Sequence, residues 1–203
     1  MANWLNGQLV TPPNEILASV ISHQGLYSSH LKPRFTGVIP IMSIPNTVHN
    51  YLSEQKIPYH TIRHQPSKSS VQSAIAAQIP LHQLAKAVVL KDNQDHYLMA
   101  ILPAANRVNI HQVSQITNSR LQLATEHELN CTFKDCEPGA IPPLGQPYHM
   151  NMLFDNRICH NPDIYLEAGD HETLIHLLQS SFQQLIDGQP HDDLCSAPPK
   201  NMK

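Results

Sequence analysis

The sequence predicts a mixed α/β domain, and three observations predict it. Two β-rich runs, residues 85–90 and 97–102, are joined by Asp92-Asn93-Gln94-Asp95, which reads as an antiparallel hairpin. Helical and strand patterns interleave irregularly, where a doubly wound sheet would alternate them. The 203 residues, 41% apolar and 14% charged, suffice to bury one core.

Residues 1–43 read as an irregular N-terminal extension with Pro12, Pro13, Pro33 and Pro40, one acid (Glu15) and two bases (Lys32, Arg34). A weak apolar run at 16–21 predicts a short helix over 15–22. Met42 could serve as an alternative translation start. The first twenty residues hold no Lys or Arg and no apolar core of sufficient length, so no leader is expected. The longest apolar runs are too short to span a bilayer, and a cytoplasmic location is expected.

The domain itself is expected over 44–187. Val48, Tyr51 and Leu52 have helical spacing, and residues 59–63 alternate as a strand. Ser70 precedes Val71, Ala74, Ile75 and Ala77, an N-capped helix. After the hairpin come a short strand at 107–109 and a helix through Val113 and Ile116. Thr125-Glu126-His127-Glu128 is a capping box that opens the next helix. Residues 152–154 and 164–167 read as strands and 174–175 as a further one. Residues 177–186 form an amphipathic final helix. Gly188 opens a tail, 188–203, that reads as disordered.

A net charge of -3 argues against a general DNA-coating protein. The charge is uneven, however. No acid lies between Glu54 and Asp92, a stretch that carries Lys56, Arg63, Lys68, Lys86 and Lys91. Residues 135–172 hold seven acids against Arg157 alone. The basic stretch suits either a phosphate backbone or a solvated surface. Cys131, Cys136, Cys159 and Cys195 form no C-x-x-C pair, and His60 and His64 lack an accompanying carboxylate. No metal site is therefore expected, and the thiols are expected to be reduced.

Three segments could carry chemistry. In an extended strand Lys86 shares a face with Val88 and Leu90, while Ala85, Ala87 and Val89 line the other. Both faces are apolar, so the strand should be central, with Lys86 near one end. A buried ammonium needs an anionic or carbonyl partner. A ligand could supply it; the lysine could equally snorkel out or pair with a structural acid. The second segment, residues 136–145, contains three prolines and two glycines and reads as a rigid turn that could aim N–H groups at an oxyanion. The third is Glu167-Ala168-Gly169-Asp170-His171-Glu172, an acid–His pair on a glycine turn, suited to acid–base work or to capping. G-x-S-x-G, P-loop and G-x-G-x-x-G motifs are absent.

In this order the three segments resemble the YbaK/prolyl-tRNA synthetase-associated domain, a family of aminoacyl-tRNA editing deacylases, over about residues 44–187. The family's strand lysine matches Lys86, its G-x-x-x-P loop matches Gly139-Ala140-Ile141-Pro142-Pro143, and its late glycine turn fits Gly169. The resemblance implies a barrel-like mixed sheet with surrounding helices and no metal or other cofactor. It also implies hydrolysis of the ester joining a wrong small amino acid (alanine, serine, cysteine or proline) to tRNA. Lys86 is then the catalytic residue, holding a carbonyl or phosphate by charge. Gly139, Pro143, Gly169, Asp170 and His171 bind substrate, and Arg63, Lys68 and Lys91 meet the tRNA. The partners implied are mischarged tRNA and an aminoacyl-tRNA synthetase, with neither membrane nor DNA. Two departures bear on specificity: Ala87 follows the lysine where some members carry a polar residue, and the late turn is charged. Two other readings stay open. One is a non-catalytic tRNA- or synthetase-binding module of the same fold. The other is a hydrolase of another acyl substrate in which Asp170 and His171 matter most.

Overall fold

The computed structural model describes residues 44–196. The extension at 1–43, with its expected helix at 15–22 and Met42, lies outside the described residues, as do residues 197–203. Helix α1, Asn46–Glu54, buries Val48 and Leu52, four residues apart on one face. Strand β1, His60–Arg63, follows. Helix α2, Ser70–Ala76, starts one residue earlier than its pattern suggests. Ser69 is the cap, with an extended backbone (φ -161, ψ 153) and an Oγ that accepts from Gln72 N–H, while Ser70 is already helical.

The hairpin forms as expected from β2, Leu84–Lys91, and β3, Tyr97–Pro103, in the register Lys86↔Leu102. Asp92 closes it by accepting from the N–H groups of Gln94 and His96, at 2.7 and 3.0 Å. The strand expected at 107–109 reduces to a single bridge, Val108↔Cys195. Asn109 is used instead to cap α3, Ile110–Ile116, accepting from Gln112 N–H at 3.2 Å. Strand β4 is only Gln122–Leu123, and α4, Glu126–Thr132, carries the expected Thr125/Glu128 capping box. Strands β5, Asn151–Asp155, β6, Asp163–Glu167, and β7, Thr173–Leu178, precede α5, Gln179–Leu185. The final helix begins later than expected because Leu177 and Leu178 pair with Ile164 and Asp163 as strand. Strand β8 is His191–Asp192.

Among the described residues these elements make one mixed eight-stranded sheet with five helices, in the order β1-β7-β6-β2-β3-β5-β8, with β4 branching from β2. Strand alternation divides the apolar residues between two faces. On one face Ala85, Val89, Met99, Ile101, Phe154 and Leu166 pack with Val48 and Leu52 of α1 and Phe182 and Leu185 of α5. On the other, Leu90, Ala100 and Leu153 meet Val113 of α3, and Leu84, Ala104 and Leu174 meet Ala74 of α2. The doubly apolar strand β2 is thus central, flanked by β6 and β3.

Residues 188–196 correct the expectation of a disordered tail. Strand β8 pairs with β5, Leu194 and Cys195 are buried, and Leu194 N–H donates to the fully buried Asp155 carboxylate at 2.8 Å. A buried carboxylate needs donors, and this segment supplies one. No helix among the described residues is long and apolar enough to cross a membrane.

Candidate active site

Strand β2 pairs with β3 over Ala85–Lys91, but its other edge is shared and incomplete. Strand β6 pairs with Leu84 and Ala85 in parallel, and β4 pairs with Leu90 and Lys91 in antiparallel. Between them no strand among the described residues covers 86–89. Gln83 C=O accepts from Tyr165 N–H at 2.9 Å and Val89 C=O from Ala124 N–H at 3.0 Å, both on this edge. Peptide groups alternate sides along a strand, so those of Ala87 face the opening. A cavity of about 270 Å³ fills the breach, lined by Lys86, Ala87, Val88 and Val89, by Ser69 and Ser70, by Leu123, Ala124, Glu126 and Leu129, and by Gly139, Ile141, Glu167 and His171.

Lys86, half-buried, turns its ammonium to the Ala104 carbonyl, with Nζ donating at 3.3 Å. Burial lowers its pKa; nearby Cys195 opposes and Arg107 adds to that shift. Among the described residues no carboxylate lies within ion-pair distance of it. The lysine therefore neither snorkels free nor pairs with a structural acid, and its charge is directed at one carbonyl.

Gly139 and His171 come to the same cavity from separate loops. Gly139 adopts φ +87, a left-handed conformation that a side chain would strain. A Cβ there would still sit 3.8 Å from the His171 ring, an ordinary contact, so backbone conformation rather than space calls for glycine. His171, itself left-handed at φ +61, donates from Nε2 to the Pro138 carbonyl at 3.0 Å, which fixes that tautomer and ties the two loops together.

The other expected substrate contacts lie behind this surface. Pro143 is buried and stiffens the loop without lining the cavity. Gly169 (φ +125) has no room for a side chain, since a Cβ would fall 2.6 Å from Pro45 Cγ. Its carbonyl accepts from Glu137 N–H at 2.8 Å. Asp170 uses both oxygens to close its own turn, accepting from Glu172 N–H, Thr173 N–H and Thr173 Oγ1 at 3.0, 2.7 and 2.7 Å. Gly169 and Asp170 border a separate hollow with Ile44, Pro45 and Cys136.

Of the three expected tRNA contacts, Arg63 and Lys68 are exposed, and Lys68 adjoins Ser69 at the cavity rim. Lys91 is placed otherwise: its ammonium binds Glu128 and also Asp95, with its side chain only 15% exposed. The hydrogen bond from Lys91 holds the Glu128 carboxyl down to about 2, helped by those from Thr125.

Glu167 is the cavity group that motif reading did not select, although its place in an acid–His segment was visible. It is 7% exposed, and its Oε2 accepts from Ser73 Oγ at 3.1 Å while Oε1 has no partner. Burial pushes this carboxyl above its ordinary range, against the Ser73 hydrogen bond and the influence of His64 and His171. The only clue to its position was local: a polar residue ending an otherwise apolar strand.

The arrangement offers a directed cation, a free strand peptide and a rigid glycine turn around a small opening, a combination suited to polarising a carbonyl. No curated protein matches the chain. Solved structures share its fold at low identity. One, described as a candidate trans-editing enzyme for prolyl-tRNA synthetase, has a TM-score of 0.65 at 16% identity over 74% of this chain and 96% of that one. A protein described as hypothetical gives 0.66 at 15% over 74% and 99%. A candidate signal transduction protein of Marinobacter aquaeolei VT8 gives 0.61 at 18% over 76% of this chain, which spans only 31% of that one. The aminoacyl-tRNA editing domain model matches residues 64–185, from the end of β1 to the end of α5 and including every wall of the cavity, and the chain belongs to that family.

Proposed function

We propose that the protein is a trans-editing deacylase that hydrolyses the ester between a mischarged small amino acid and tRNA. The observation that carries this is the convergence of Lys86, Gly139 and His171, from three distant segments, on one breach in the sheet. At about 270 Å³ the cavity falls just below the roughly 300–1,000 Å³ of drug-sized sites, which suits a small aminoacyl group.

Lys86 exchanges its Ala104 contact for the ester carbonyl oxygen and polarises it. A water oxygen bonds to the carbonyl carbon, oriented by the free hydroxyl of the terminal ribose. The negative charge that develops on oxygen is met by the Lys86 ammonium and by main-chain N–H groups of Ala87 and the Gly139 turn. The ester C–O bond then breaks, and the ribose oxygen leaves with a proton ultimately derived from the water. An aminoacyl ester is activated enough for positioning and charge to supply the acceleration. Lys68, exposed, and Arg63, exposed and 3.9 Å from the Glu172 carboxylate, would meet tRNA phosphates, and the protein would work in the cytoplasm, alone or beside a synthetase.

The test is release of amino acid from alanyl, seryl, cysteinyl and prolyl esters of tRNA by the wild type and by Lys86→Ala. Release of one amino acid that the variant fails to release is the expected result. tRNA binding without release from any ester would instead identify a binding module.

A further inference from the structure

We propose that Glu167 is the binding partner of the substrate's α-ammonium group, so that the site selects esters of free amino acids over esters of the same shape without the charge. The inference rests on the editing reading and specifies what that site recognises.

The first support is the unpartnered oxygen. Glu167 is 7% exposed, lines the cavity, and leaves Oε1 with no hydrogen-bond partner. Buried carboxylate oxygens are ordinarily satisfied, so an unpartnered one on a residue that lines the cavity calls for a donor that the described residues do not supply. His64 and His171 influence it, yet neither makes a hydrogen bond or ion pair to it.

The second support is its place relative to Lys86. Strands β2 and β6 run parallel in the register Leu84↔Tyr165, Ala85↔Leu166. One step further, at Lys86 and Glu167, the ladder has ended, and both residues line the cavity that opens there. Both side chains share the face of Leu84 and Tyr165, because residues two apart point the same way. The two form no ion pair with each other. Here each is drawn off by a partner of its own, Lys86 by the Ala104 carbonyl and Glu167 by Ser73 Oγ.

The aminoacyl ester has the complementary pattern. Its carbonyl oxygen, which becomes negative during reaction, and its α-ammonium are borne on adjacent carbons. With the carbonyl at Lys86, the ammonium would turn to the wall of the same cavity that Glu167 supplies. A neutral substituent there would leave the buried carboxylate without a partner, which is how a polar site rejects an analogue of equal size.

The experiment compares alanyl-tRNA with lactyl-tRNA, in which a hydroxyl replaces the ammonium at nearly constant size, using wild type and Glu167→Gln. Taking the ratio of the two proteins on each ester removes the difference in intrinsic ester reactivity. The amide keeps the Ser73 hydrogen bond and the shape but not the charge. We expect kcat/KM for alanyl-tRNA to fall by about 10- to 100-fold in the variant, as for loss of a charged hydrogen bond, with lactyl-tRNA nearly unaffected. A parallel fall on both esters would assign Glu167 a structural role and overturn the inference, as would no change on either. Should the variant not fold, a wild type that binds the non-hydrolysable 3′-alanylamino- and 3′-lactylamino-deoxyadenosines equally would overturn it too. Failure of the wild type to release any amino acid would remove the editing reading itself. Release that is indifferent to the α-substituent would remove only this inference.

Discussion

Two lysines stand on the same central strand, five residues apart, and meet opposite fates. Lys91 lies at the end of β2 where β4 completes the edge, and it is held between Glu128 and Asp95. Lys86 lies where the edge is open, with a single carbonyl for company. Residue type and strand are shared; what differs is whether a neighbouring element delivers a carboxylate. A cation neutralised by its own fold contributes to holding the fold together, whereas one left facing a cavity remains available to a ligand.

The widest separation between the two is expected from truncating each to alanine. Lys86→Ala should lower turnover on the preferred ester by at least ~100-fold, the scale of removing an oxyanion donor, with a melting temperature close to that of the wild type. Lys91→Ala should instead leave kcat essentially unchanged and lower the melting temperature. Turnover assays beside thermal denaturation check both, and equal kinetic losses would erase the distinction. Gly139→Val comes next. It forces a β-branched residue to φ +87, at a cost of roughly 1–2 kcal/mol, and should slow turnover about tenfold if the turn relaxes away from that conformation.

The Lys91 side of the comparison also has a pH signature. Glu128 titrates near 2 in the fold against an ordinary 4.5, so the unfolded chain binds the proton more readily. Its contribution to stability is then fully present above about 4.5 and is lost as pH falls from there through about 2. Acid unfolding of Glu128→Gln should accordingly be flatter than that of wild type over this interval, followed by circular dichroism. The smallest effect concerns the exposed cations. Lys68→Gln should weaken tRNA binding a few-fold and reduce the salt slope by about one, whereas Lys91→Gln should leave the slope unchanged. Filter binding over a range of salt reads both.

Elements governed by neighbouring residues could be read from the sequence. The two apolar faces of β2, the Asp92 turn and the Thr125/Glu128 capping box all rest on residues within a few positions of each other. The incomplete edge of β2 does not. It depends on β6, joined about eighty residues later, and on β4, whose two residues carry no pattern. Lys91 looked equivalent to Lys68 because its partner Glu128 is 37 residues away. Within the late turn, Asp170 and His171 looked like one functional pair. The fold divides them, giving Asp170 the turn and His171 the cavity wall. Residues 188–196 passed for a tail because Gly188 and Pro190 dominate their local signal, while Leu194 and Cys195 meet their neighbours only after the sheet assembles.

The interruption in β2 has a consequence for how the molecule behaves in company. Bare strand edges invite strands from other chains, and proteins ordinarily suppress them. Here the bare portion is four residues long and is closed at both ends by β6 and β4, so a foreign strand would collide with its own kind before finding a run of partners. The aminoacyl end of a tRNA, the substrate proposed above, would be spared that collision. The length of the gap thus acts as a sieve for shape, too short to take up the extended polypeptides crowded around it.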